Sequence, residues 1–279
     1  MTRLLGLGDN TVDTYVDVAL QYPGGNAVNV AVMSARLGAS AGYLGCVGAD
    51  EAGTLVRSAL IAEGIDVSRV RVRDGANARA FIGHVDGDRQ FIRTENGVRA
   101  DYRWDEDDFA YIRGFDHVHS SIYSGLDDTL DDIAHTARSL SFDYSNRWTP
   151  AYLQRTVPYV GIAFLSAADL TAGELDDLLD RCLDLGAKTV VATRGSDGAL
   201  GATADLRLAQ PARPARVVDT LGAGDGFISG FLMAHLAGAA LDEALAAGAR
   251  FAAKVCGWHG GFGHAAAWTG DPTAARAGK

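Results

Sequence analysis

The chain is short of positive charge: 25 Lys and Arg stand against 35 Asp and Glu, giving a formal net charge of -10 and a pI near 5.1. Binding to nucleic acid draws on an excess of basic groups, so this balance argues against a nucleic-acid partner and for a small-molecule ligand. Cysteine is scarce as well. Cys46, Cys182 and Cys256 are odd in number, far apart and set in apolar segments, which suits reduced thiols in a cytoplasmic protein better than a disulfide framework. Long apolar runs are missing. The uncharged apolar stretch Gly226 to Leu241 contains His235 and several glycines and falls short of the roughly 20 apolar residues a membrane span needs. No basic segment followed by an apolar one opens the chain, so neither a signal peptide nor a membrane partner is expected. Also absent are Pro-rich linkers, repeats, the G-x-x-x-x-G-K-[ST] loop and the G-x-G-x-x-G turn; "GLGDN" offers only a G-x-G. Walker-type and Rossmann-type nucleotide sites are therefore disfavoured.

What is there is ample for a core: 279 residues, 48% of them apolar, expected as a single domain over 1–279. "RLLGLG" (Arg3 to Gly8) reads as a buried strand, and Asn26 to Gly38 has apolar residues at helical spacing with a glycine stop. Short apolar runs recur in "AGYLGCVG", "FDHVHS", "LSFDYS", "VGIAFLS" and "KTVVATRG". Amphipathic helices are expected between several of them, at Leu126 to Leu140 and Glu174 to Leu185. That alternation predicts an α/β fold with a mostly parallel sheet covered on both faces. Two segments instead alternate as half-solvated antiparallel strands, Thr11 to Leu20 and Ala78 to Gly97, the second with Asp86-Gly87 as a hairpin signal. They predict a small β lid, formed by about 11–22 and 74–100, over the ligand edge of the main sheet. The acidic runs "RWDEDD" (Arg103 to Asp108) and "LDDTLDD" (Leu126 to Asp132) are read as solvated helix starts, where carboxylates complement the dipole.

Three stretches carry candidate chemistry. In "VVDTLGAGDGF" (Val217 to Phe227), Gly222, Ala223 and Gly224 can turn the chain so that successive amides converge on an anionic oxygen. Asp225 then stands in the first turn of a long apolar helix, where it could accept the proton of an attacking hydroxyl; an N-cap with loop glycines is the plainer reading of that stretch alone. In "VVATRGSDGAL" (Val190 to Leu200) a strand ends in Thr193, Arg194 and Gly195, and strand C-termini of open α/β sheets line ligand crevices, although an ordinary hairpin loop is the plainer reading of that stretch alone. In "YPGGNAVNVAV" (Tyr22 to Val32), Gly24 and Gly25 precede a helix carrying Asn26 and Asn29, side chains suited to neutral hydroxyls, although Asn26 by itself reads as a cap. His117 and His119 alternate on one strand with no third metal ligand at convincing spacing, and read as core or crevice histidines.

Together and in this order, "GGNAVNVA", "TRGSDG" and "DTLGAGD" resemble the ribokinase-like (PfkB) carbohydrate kinase family over nearly the whole chain. The resemblance implies a ribokinase-like three-layer sandwich with a β lid, and transfer of the ATP γ-phosphoryl to a sugar hydroxyl with Mg²⁺. It implies Asp225 as catalytic base, Gly222 to Gly224 as anion hole, and Asp13, Gly24, Gly25 and Asn29 as sugar ligands. Thr193, Arg194, Gly195, Gly198, Thr220, Gly222 and Gly224 are the implied nucleotide contacts. A nucleotide or monovalent-cation site closes near His259 in such kinases. One departure stands out: where the family has Asn-x-x-Glu this chain reads "SAAD", Ser166 to Asp169, which leaves Asp169 as the stand-in metal ligand.

Within the family the chain looks most like the fructoselysine 6-kinases, on "GDNTVDTY", "TENGVRADY", "FDHVHSSIYS", "SFDYSNRW" and "GWHG". Asp9 and Asp13 both close the first strand, and a second acid there would suit a substrate carrying a secondary ammonium, while a turn cap is the alternative for Asp9. The expected reaction is phosphorylation of the 6-hydroxyl of a fructose-amine. The alternatives are a kinase for a plain sugar or sugar acid (ribose, fructose, 2-keto-3-deoxygluconate), a sugar-binding relative without phosphoryl transfer, and, least supported, a dehydrogenase. Phe81, Ile82 and Phe91 on the lid strands are expected to be exposed and to form a homodimer interface.

Overall fold

The computed structural model describes residues 1–85 and 88–276, so the Asp86-Gly87 hairpin signal lies outside the described residues. The first half of the chain runs β1 (Arg3–Gly8), β2 (Thr11–Tyr15), β3 (Leu20–Gly24), α1 (Asn26–Arg36), β4 (Ser40–Gly48), α2 (Glu51–Ala62), β5 (Arg71–Arg73), β6 (Arg79–Val85), β7 (Asp88–Glu95), α3 (Glu106–Ile112), β8 (His117–Ser121), α4 (Leu130–Thr136) and β9 (Leu140–Asp143). It continues through α5 (Pro150–Thr156), β10 (Ile162–Ser166), α6 (Ala172–Asp184), β11 (Thr189–Thr193), β12 (Ala199–Ala202), β13 (Arg207–Gln210), α7 (Ala223–Leu236), α8 (Leu241–Val255), β14 (Ala266–Ala267) and α9 (Pro272–Arg276).

Nine strands form the main sheet in the order β13-β12-β11-β10-β9-β8-β1-β4-β5. All pairs from β11 to β5 are parallel, and β12 and β13 add an antiparallel edge. Side chains alternate across the sheet, so Leu5 and Leu7 join one apolar layer with Ile133 of α4, Leu153 of α5 and Leu178 of α6, while Leu4 joins the opposite layer with Val30 of α1, Phe231 of α7 and Leu245 of α8. Burial on both faces is why these strands read as nearly continuous apolar runs. Local sequence fixes several helix starts. Asp105 and Asp108 make a reciprocal capping box at α3, Thr171 and Glu174 make one at α6, and Thr149 caps α5 ahead of Pro150. The acidic runs therefore sit at helix N-termini, Asp131 and Asp132 in the first turn of α4 included.

The second sheet has the order β14-β3-β2-β6-β7. Thr11 to Leu20 is not one strand: the chain leaves β2 after Tyr15, turns through Ala19 at φ 51° and returns as β3. The turn is held because Val16 donates its amide to Ile82 O at 2.9 Å and buries its side chain with Phe81 and Ala275. β14 joins from the far end of the chain, and two residues are too few to show a period. Leu126 to Leu140 is likewise shorter than its pattern: Leu126 O accepts from Thr129 in a turn, α4 spans seven residues, and Leu140 already belongs to β9. The exposure expected of the small sheet is corrected in part. Phe81 and Ile82 are buried within the chain, Phe81 edge-on to Trp268 and Ile82 among Tyr15, Tyr22 and Leu221, and of the three only Phe91 is exposed, at 59%. Among the described residues no cysteine is joined in a disulfide, and no helix is long and apolar enough to cross a membrane.

Candidate active site

The C-terminal ends of β1, β8 and β9 meet the N-termini of α1 and α7, and the candidate site is built at that junction. Helix α1 has no cap from Gly25; Asp9, just past β1, reaches across to do it. Its Oδ2 accepts from the Asn26 amide at 2.7 Å and its Oδ1 from the Ala27 amide at 3.2 Å, while Ser121 and Ser124 hydroxyls donate to Oδ1 at 2.8 and 3.0 Å. The reading of Asp9 as a partner for a substrate ammonium is corrected here. Its carboxylate is 2% exposed and satisfied by four protein donors, so it works as the helix cap.

Asp225 lies in the first turn of α7. Gly222 caps that helix at φ 76°, and a Cβ there would stand 2.8 Å from Gly261 Cα, so the turn requires glycine twice over. The carboxylate accepts from Asn29 Nδ2 at 2.6 Å and from Asn26 Nδ2 at 2.7 Å. Loss of water around it pushes its pKa up to about 6, against the two amide donors, with the negative charge of Asp9 adding to the rise. Asp143, at the end of β9, shares the same amide: Asn26 Nδ2 donates to its Oδ2 at 3.0 Å. Burial, reinforced by Asp225 and Asp9, pushes Asp143 up to about 7, although the Ser145 amide donates to it at 2.8 Å.

The amides expected as an anion hole divide. Ala223 N is taken by Thr220 O at 3.2 Å, a correction to the reading of all three glycine-turn amides as a cradle. Among the described residues, the amides of Gly222, Gly224 and Asp225 have no acceptor, as the first turn of a helix dictates. The loop itself is fixed by Asp219, which accepts from the Tyr15 hydroxyl at 2.5 Å, the Leu221 amide at 2.9 Å and the Gly260 amide at 3.1 Å. Asp13 is buried on β2 beside Gly24, where a Cβ would stand 2.2 Å from Asp13 Oδ2; Gly25, at φ 104°, leads into α1. Among the described residues, Asn10 Oδ1, Thr11 Oγ1 and Asn29 Oδ1 are buried oxygens without a hydrogen-bond partner around the same junction, a set of acceptors that suits a ligand bearing several hydroxyls.

Thr193, Arg194, Gly195 and Gly198 stand farther along the same edge, at the end of β11, where Arg194 N donates to Gly198 O at 2.7 Å. Among the described residues no hydrogen bond links them to the Asp225 group. Among the described residues Arg194 Nε is buried without an acceptor, and with the unpartnered amides of α7 it fits the phosphates of a nucleotide. Thr220 is exposed at the entrance to the glycine turn. Ser166 closes β10, paired in register with Thr193, and Asp169 is exposed in the turn beyond it. Among the described residues no three His, Cys, Asp or Glu side chains converge on one point. Mg²⁺ takes few protein ligands beside phosphate oxygens and water, and an exposed carboxylate at this edge fits that mode. Sequence reasoning missed Asp143, Asn26 as partner of the base, and Asp219. Asp143 and Asp219 lay inside stretches singled out for resemblance, but only the fold shows which of those positions face the cleft.

The pfkB family carbohydrate kinase pattern matches residues 7–263. The chain is 40% identical over 266 residues to the fructosamine kinase FrlD of Bacillus subtilis (strain 168), covering 94% of this chain and 93% of the relative, and 35% identical over 262 residues to the fructoselysine 6-kinase of Escherichia coli (strain K12), covering 94% and 100%. Among solved structures, aminoimidazole riboside kinase from Salmonella enterica, complexed with aminoimidazole riboside and an ATP analog, superposes with a TM-score of 0.78 at 25% identity over 94% of this chain and 95% of that one. Arabidopsis thaliana ribokinase, complexed with ribose and ATP, gives 0.82 at 19% over 98% and 97%. The fold is therefore ribokinase-like, and the chain belongs to the pfkB family of carbohydrate kinases.

Proposed function

We propose that the protein, an ATP-dependent carbohydrate kinase by its family, transfers the γ-phosphoryl group to the 6-hydroxyl of a fructose-amine of the fructoselysine type. The observation that carries the reading is Asp225: a carboxylate with a pKa of about 6, gripped by two side-chain amides, in the first turn of a helix where, among the described residues, the backbone amides of Gly222, Gly224 and Asp225 have no acceptor. Such a group is ionised at neutral pH yet basic enough to take a hydroxyl proton as the oxygen attacks phosphorus. As that bond forms and the bond to the β-phosphate oxygen breaks, the amides of Gly222, Gly224 and Asp225 stabilise charge on the transferring group. Bound Mg²⁺ supplies neutralisation of phosphate charge. Asp13, Asn29 and the orphaned acceptors of Asn10 and Thr11 receive the sugar hydroxyls.

The choice of substrate rests on the two relatives named for fructosamines and fructoselysine, since Asp9 no longer supplies an argument for it. With Asp9 committed to α1, Asp13 and Asp143 are the acids left to meet a substrate ammonium. We place the enzyme in the cytoplasm and as a homodimer through the small sheet, with Phe91 at the interface. The test is ADP release by the purified protein with ATP and Mg²⁺ against fructoselysine, other fructose-amine adducts, free fructose, ribose and 2-keto-3-deoxygluconate. Turnover confined to the adducts supports the substrate; turnover on a plain sugar removes it. An Asp225→Asn variant is expected to lose on the order of 10²-fold or more in kcat, and full turnover would remove Asp225 as the base.

A further inference from the structure

Strands β8 and β9 carry a buried polar ladder that the reaction as described does not use. His117 and His119 alternate on one face of β8, Ser139 and Ser141 do the same beside β9, and the register pairs His119 with Ser141. His117, His119 and Ser141 have no exposed surface. The His119 ring packs edge-on to Phe164 in the apolar layer under α1 and α7. Ser139 Oγ lies 3.0 Å from His117 Nδ1, Ser141 Oγ lies 2.7 Å from both His117 Nε2 and His119 Nδ1, and His119 Nε2 lies 2.9 Å from Asn26 Oδ1. Polar groups in an apolar layer cost stability unless every one is partnered, and here each is partnered by the next.

The direction of every bond follows from one end. Asn26 faces two carboxylates, Asp225 and Asp143, so the atom there is its NH2, with one hydrogen for each. Its Oδ1 then needs a donor, which makes His119 the Nε2–H tautomer and leaves Nδ1 an acceptor. Ser141 must donate to that nitrogen and so accepts from His117, which is also Nε2–H and accepts from Ser139. Both rings are neutral throughout: burial, with His235 nearby, lowers His117 to about 3, and burial with His117 beside it lowers His119 well below the usual range.

We propose that His119 is a positioning residue for phosphoryl transfer: held by Ser141 and His117, it fixes the Asn26 amide so that Nδ2 faces the base Asp225 and Oδ1 cannot. An amide turned the other way would place a second acceptor against the carboxylate, raise its pKa and spoil its aim. The groups bearing on Asp225 are Asn26, Asn29, Asp9, Asp143 and the Tyr123 phenol, and of these only Asn26 is set by the ladder.

Two measurements test this. In His119→Leu the donor to Oδ1 is lost; kcat is expected to fall about 10- to 100-fold at unchanged KM for ATP, and the acid limb of kcat/KM to rise by about one pH unit. His119→Gln, which keeps a donor, is expected to recover most of both. Wild-type kcat and acid limb in the Leu variant, or a Gln variant no better than Leu, would overturn the proposal, the second by reducing His119 to packing. The other measurement needs no variant: ¹⁵N NMR of histidine-labelled wild-type protein is expected to show His117 and His119 neutral as Nε2–H from pH 5.5 to 8. An Nδ1–H tautomer or an imidazolium at His119 sinks it even should the Leu variant not fold. The proposal rests on Asp225 as base, and failure of that reading is seen separately, as turnover retained by Asp225→Asn.

Discussion

A base raised toward neutrality by partial burial should cost the fold stability, and Asp225 allows that cost to be worked out. Its pKa rises from an ordinary 3.8 to about 6 in the folded protein, a shift of about 2 units, or about 3 kcal/mol. The sign follows from which state holds the proton longer. Between pH 4 and 6 the folded chain keeps a proton that the unfolded chain has released, so folding loses stability as pH rises through that window and the full penalty stands above it. Asp225→Asn has no such penalty. Any mismatch between the new amide and those of Asn26 and Asn29 is independent of pH, so the difference in unfolding free energy between variant and wild type, taken at pH 8 minus pH 4.5, isolates the ionisation. It should favour the variant by about 2 kcal/mol, because about 1 of the 3 is already present at pH 4.5. Asp143, raised partly by the charge of Asp225, shifts the difference in the same direction. Urea unfolding followed by far-ultraviolet circular dichroism at the two pH values gives the number. A difference of zero or of opposite sign would mean that the carboxylate is not strained by its surroundings, and the argument for a base tuned by desolvation would fail.

Asn29→Ala removes the 2.6 Å amide bond to Asp225, and bonds to a charged group contribute about 1.5–3 kcal/mol, so the acid limb of kcat/KM is expected to move up by about 1–2 pH units; an unmoved limb would exclude Asn29 from tuning the base. Gly24→Ala places a Cβ 2.2 Å from Asp13 Oδ2 and must displace that acid, so KM for the sugar should rise about tenfold or more at constant KM for ATP, and equal rises in both would argue for general disruption. Gly222→Ala puts a side chain at φ 76° against Gly261 and should weaken nucleotide binding, measured by calorimetry with ADP, while the urea midpoint falls by the equivalent of about 1–3 kcal/mol. Light scattering at micromolar concentration should give twice the chain mass, and Phe91→Asp should return it to the monomer; a wild-type monomer would remove the interface through β7.

The order of strands and helices was readable because burial on both faces makes parallel strands uniformly apolar, and because Asp105, Thr149 and Thr171 announce helix starts through local hydrogen bonds. The glycine turn was equally legible: a positive φ and a close backbone approach leave residue 222 no alternative, and the aspartate three positions on falls in the first helical turn. Partners far apart in the chain were not legible. Asp9 looked free because nothing local announces that it caps a helix beginning 17 residues later, and Asp143 and Asn26 gained their roles only when β9 and α1 arrived at one point. The alternation His117-x-His119 was visible as a pattern, but its meaning depended on a neighbouring strand in register. Sequence determines what a residue does within a few turns of its own backbone, where the geometry is fixed by the chain itself. Which carboxylate is partly desolvated, which is saturated and which amide faces it are set by packing across the sheet, and that is where the tertiary structure decided the chemistry.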